Sequence, residues 1–121
     1  MSQQHRPSVK ELARKLKGAK EAIEKGRRFF AEPEKTVGEL EKLGIGKVDE
    51  VWSLISTLLQ EVKPELYEGK RPPEKASEIS ILGKELFPFC WNSNVTGKRM
   101  YLKFVLTDEA FYYVSLHESK F

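Results

Sequence analysis

Tyr101, Lys103, Ser115 and His117 fall at alternate positions of two runs near the C-terminus, Arg99 to Thr107 and Phe111 to His117. Residues two apart in a strand share a face. The first run therefore sends Met100, Leu102, Phe104 and Leu106 to one side and Arg99, Tyr101 and Lys103 to the other. The second separates Tyr112, Val114 and Leu116 from Phe111, Tyr113, Ser115 and His117. If Asp108, Glu109 and Ala110 form a three-residue hairpin loop, position 107 pairs with 111. Leu102 then meets Leu116, Phe104 meets Val114 and Leu106 meets Tyr112, which buries the apolar positions together. A two-residue loop would set Leu102 against Ser115 and Phe104 against Tyr113, and the buried face selects against that slip. The chosen register makes Tyr101 and His117 direct cross-strand neighbours.

Cleaving RNA without a metal requires one group to take the 2′-hydroxyl proton and another to protonate the leaving 5′-oxygen. It also requires cations beside the charged phosphorane. His117 can serve either proton step, because imidazole changes charge near neutral pH. Tyr101 can transfer a proton or orient the 2′-hydroxyl. Lys103 and Arg99, with Lys98 next to them, can hold phosphate, and Phe111 and Tyr113 offer rings on which unpaired bases stack. The same residues also admit a plainer account, since tyrosine favours strands and a Tyr opposite a His is a good cross-strand pair. Two further classes therefore stand beside a ribonuclease: a non-catalytic RNA-binding protein, and a small interaction module that docks an acidic partner on its sheet.

The elements that must position this face lie upstream. Ser8 with Glu11 forms a capping-box pattern, followed by Val9, Leu12, Leu16, Ala19 and Ile23 at helical spacing up to Gly26. Thr36 with Glu39 suggests the start of a second, shorter helix through Leu40 and Leu43, ending at Gly44. After Gly46, acidic Asp49 and Glu50 occupy a first turn, and Val51, Trp52, Ile55, Leu58, Leu59 and Val62 make one apolar stripe that Pro64 ends. Residues 68–78 read as a basic loop carrying Lys70, Arg71 and Lys75. A strand between Ile79 and Trp91 is interrupted by Gly83 and Pro88, which places it at a sheet edge or gives it an irregular middle. The expectation is a single α+β domain over 1–121, with a flexible start (1–7), a mainly helical part (8–67), the loop (68–78) and an antiparallel sheet (79–121).

The chain of 121 residues is 40% hydrophobic and 32% charged, which suits a globular domain rather than a disordered one. No apolar run reaches transmembrane length and the N-terminus lacks a signal-peptide core, so a cytoplasmic location is expected. The single cysteine, Cys90, lies between Phe89 and Trp91 and reads as a small buried hydrophobe. With His5 and His117 as the only imidazoles, no HExxH pattern and no clustered carboxylates, neither a metal site nor a cofactor is expected. Net charge is only +3, yet residues 6–28 hold nine Lys and Arg against Glu11, Glu21 and Glu24. Such a segment suits a polyanion, although for a single basic helix a solvated face is the commoner account.

The segment Val95 to Phe104, containing Thr96-Gly97 and Tyr101-Leu102-Lys103, followed by Val114-Ser115-Leu116-His117-Glu118, resembles the C-terminal half of the motility quorum-sensing regulator (MqsR) toxins. The resemblance extends upstream through Leu43-Gly44-Ile45, the third helix and Glu65-Leu66-Tyr67, and so covers most of residues 8–121. It implies a RelE-like fold and an mRNA interferase toxin of a type II toxin–antitoxin pair, one that cuts messenger RNA without metal and is neutralised by an antitoxin protein. The family's strand tyrosine matches Tyr101. Its C-terminal lysine falls at His117, a departure that leaves room for altered activity. The nearest candidates for a family lysine and glutamine without clean matches are Lys70 and Lys84.

Overall fold

The computed structural model describes residues 7–69, 74–107 and 110–119. Helix α1 (Val9–Glu24) leads into a short strand β1 (Arg28–Phe30), then helices α2 (Pro33–Lys42) and α3 (Val48–Leu59), and then strands β2 (Phe87–Asn92), β3 (Arg99–Leu106) and β4 (Phe111–Glu118). The α+β arrangement of N-terminal helices on C-terminal strands is as the sequence reads. The sheet order is β1-β4-β3-β2, with the last three strands antiparallel and β1 added parallel to β4. The fully antiparallel expectation is corrected by β1. Three residues, Arg28, Phe29 and Phe30, carry too short an alternation to register as a strand before their partner is known.

The helices form for the local reasons their sequences supply. Ser8 Oγ accepts the Glu11 N–H (3.1 Å) and the Glu11 carboxylate accepts the Ser8 N–H (3.4 Å), closing both halves of the capping box. α1 buries Leu12, Leu16, Ala19, Ala22 and Ile23, and α3 buries Val51, Trp52, Ile55, Leu58 and Leu59, against the sheet face made by Phe89, Met100, Leu102, Phe104, Phe111, Tyr113 and Leu116. Trp52 stacks on Phe30 at 4.9 Å between ring centroids and meets Phe111 edge-on at 6.0 Å, so the short strand is tied to the third helix. α2 departs from expectation at its start. Pro33 supplies its first turn, Thr36 lies inside it with its hydroxyl donating to the Glu32 carbonyl, and Glu39 does not complete a capping box.

The hairpin keeps the expected register only at its open end. Tyr101 pairs with His117, Leu102 with Leu116 and Lys103 with Ser115, but beyond a bulge Phe104 pairs with Tyr113, Val105 with Tyr112 and Leu106 with Phe111. Val114 is the extra residue on β4. The bulge turns Phe111 and Tyr113 into the main core and sends Val114 to the opposite face, where it joins Val105, Ala31, Ala76, Ile81 and Leu86 in a second apolar cluster. Near the loop, the sheet is thus covered on both sides: helices on one, and residues 76–86 on the other. The region 79–86 is a turn and an irregular segment rather than strand, with Gly83 at φ 80°, and the strand proper begins at Phe87. Pro88 does sit on an edge strand.

Candidate functional site

Residues 76–86 cover the loop end of the outer sheet face, and among the described residues toward its other end Arg99 and His117 are exposed and Tyr101 and Lys103 partly so. Cys90, Tyr101 and His117 form one row across β2, β3 and β4. The Tyr101 and His117 rings stack with centroids 5.1 Å apart at 26°. Tyr101 and Lys103 are half-buried, whereas His117, Arg99 and Lys98 are exposed. His117 Nδ1 lies 3.0 Å from the Glu118 carbonyl oxygen. That oxygen can only accept, so Nδ1 carries the hydrogen and a neutral ring presents its Nε2 lone pair outward. Burial, followed by the charges of Glu74, Cys90 and Glu68, holds the Tyr101 phenol above its ordinary 10.0. The phenol therefore keeps its proton at neutral pH.

Two carboxylates outside the expected site residues hold this face in place. Glu39, from α2, accepts hydrogen bonds from the Tyr113 hydroxyl (2.8 Å), the Ser115 hydroxyl (2.6 Å) and the Leu116 N–H (3.3 Å), and so fixes β4 immediately before His117. Glu61, just past α3, accepts from Trp91 Nε1, Ser93 Oγ and the N–H groups of Asn94 and Val95, and so holds the turn that leads into Lys98 and Arg99. Burial pushes the Glu61 carboxyl up, but the bonds from Ser93, Trp91, Asn94 and Val95 together outweigh it and hold the group below its ordinary 4.5. The one signal for Glu39 was its spacing from Thr36, which pointed to a helix cap instead.

The other expected site residues are distributed differently. Tyr113 is fully buried and spends its hydroxyl on Glu39, and Phe111 is fully buried as well, so neither is a stacking surface for bases. This correction follows from the bulge: apolar area leaves water when both rings turn inward. Ser115 shares parity with His117, but its hydroxyl is committed to Glu39. Lys98 Nζ stands 3.9 Å from Glu118 Oε1 in an exposed pair. Lys84 lies away from this face, in a groove with Arg14 and Lys15. Lys70 and Arg71 fall outside the described residues. Among the described residues no three His, Cys, Asp or Glu side chains gather as a metal cage, and no helix is long and apolar enough to cross a membrane. No protein-family model, curated protein or solved structure matches this chain.

Proposed function

We propose that this chain is a metal-independent endoribonuclease of the MqsR-like toxin kind, with single-stranded RNA as substrate and a cognate antitoxin protein as partner. The observation that carries the reading is the Tyr101–His117 stack, flanked on β3 by Lys103 and Arg99. In this mechanism His117 Nε2 takes the proton of the 2′-hydroxyl, O2′ attacks phosphorus, and the P–O5′ bond breaks. Tyr101 gives its proton to the departing O5′. Lys103 and Arg99 stabilise the extra negative charge on the phosphorane oxygens. The products are a 2′,3′-cyclic phosphate and a 5′-hydroxyl, and the proton on His117 returns to the Tyr101 phenolate through water. A purely aromatic RNA-binding platform is less well supported, because Phe111 and Tyr113 are inside the core.

The test is incubation of the purified protein with a defined RNA in excess EDTA, beside His117→Ala prepared identically. Cleavage leaving cyclic phosphate ends, lowered at least about tenfold in the variant, is expected. Equal cleavage by both would remove His117 from the chemistry. RNA binding without cleavage would leave a binding protein.

A further inference from the structure

The basic character of α1 has no role in the chemistry above, yet the fold gives it a neighbour. Arg14 and Lys15 on α1 and Lys84 from the segment before β2 line one groove of about 440 Å³, floored by Gly18 and Leu106 and bounded by Thr107 at the end of β3. Gly18 makes the close approach possible, since a Cβ there would come within 2.9 Å of Leu106 Cδ2. The groove's acidic residue, Glu11, turns its carboxylate back to the Ser8 N–H of the capping box. Among the described residues no carboxylate lies within ion-pair distance of Arg14, Lys15 or Lys84. Lys15 additionally packs its ammonium 5.7 Å from the Phe87 ring centroid, which orders it at the groove wall. Lys10 and Lys17, both exposed, extend the Arg14 ridge along the helix.

We propose that this groove is a second RNA-binding site, one that grips the phosphate backbone of the substrate at a distance from the Tyr101–His117 face. This rests on the ribonuclease reading and adds a role for α1. Three cations, with no carboxylate within ion-pair distance among the described residues, converge where Leu106 is the one large apolar residue of the lining, which is the character of a phosphate track rather than of a protein-docking hot spot. β3 runs between the two sites, with Tyr101 and Lys103 on its outer face and Leu106 on its helix face about 17 Å further along. A single strand held at Arg99 and Lys103 reaches α1 by passing over the covering segment 76–86, which itself carries Lys84 into the groove. RNA long enough to occupy both sites is bound more tightly than a fragment that fills only the first.

The test uses His117→Ala to keep RNA intact and compares it with the same protein carrying Arg14→Gln and Lys84→Gln. Both positions are exposed, and Lys15 is left on Phe87 so that packing is preserved. Fluorescence anisotropy with a labelled single-stranded RNA across a salt series is the readout, with circular dichroism as the fold check. The affinity should fall at least about fivefold at about 0.1 M salt, and the slope of log K against log salt should shrink by about 1.4. Unchanged affinity and slope in the folded variant, with binding lost on Lys98→Gln and Arg99→Gln, would overturn the second site and leave the ribonuclease reading intact. Unchanged RNA binding together with loss of an acidic protein partner would assign the groove to that partner and equally overturn it. No RNA binding by the His117→Ala parent would remove the reading on which the proposal rests.

Discussion

Tyr101 and His117 divide the proposed proton work because their surroundings differ. Tyr101 is half-buried between β2 and β4 and faces Glu74, Cys90 and Glu68, so its phenol resists ionisation. His117 stands in solvent with Nδ1 committed to a carbonyl. Swapping their roles would ask a phenol with a raised pKa to be the base. Tyr101→Phe removes the donor but keeps the ring stacked on His117, so cleavage should drop by about tenfold or more with little change in stability. A direct check of the phenol is alkaline difference spectroscopy. The tyrosinate absorbance that Tyr101→Phe removes should have its midpoint above pH 10.0, and a midpoint at or below that value would contradict the buried-phenol account.

At the scale of elements, each half of the site depends on one carboxylate reaching from a helix. Glu39→Ala leaves the Tyr113 hydroxyl, the Ser115 hydroxyl and the Leu116 N–H without their acceptor. Buried donors stranded in this way cost about 2–4 kcal/mol, which urea denaturation would read as a lowered midpoint. Cleavage should fall with it even under conditions where the fold persists, because β4 carries His117 two residues past Ser115. Glu61 gives a signed pH dependence. Its folded pKa lies below the ordinary 4.5, so its contribution is fully present above 4.5 and is lost as pH falls through the lower folded value. Stability should therefore decline on acidification below about pH 4.5, and Glu61→Gln should flatten that decline. An acid limb as steep in the variant as in the wild type would assign it to other carboxylates.

At the scale of the whole molecule, both faces of the sheet are apolar near the β3–β4 loop and only one is apolar at the far end, which confines the candidate chemistry to a few residues. Much of this was legible in sequence. Helical spacing and the Ser8–Glu11 box set α1, the stripe from Val51 to Leu59 set α3, and period-two alternation set β3 and β4 and paired Tyr101 with His117. These features depend on contacts a few residues apart or on one repeating face, and a chain writes them directly. The inward turn of Phe111 and Tyr113, the parallel strand β1, the roles of Glu39 and Glu61 and the meeting of Lys84 with Arg14 and Lys15 were not legible. Period-two reasoning assumes that one face is dry along the whole strand. Only tertiary structure brought residues 76–86 over the second face, making a bulge at Val114 the arrangement that buries more apolar surface. The sequence by itself determined that Tyr101 and His117 sit side by side and which of α1 and α3's residues face the sheet, because those follow from local periodicity. Packing between segments as much as 77 residues apart decided which of them stay in water, because burial is a property of the assembled fold.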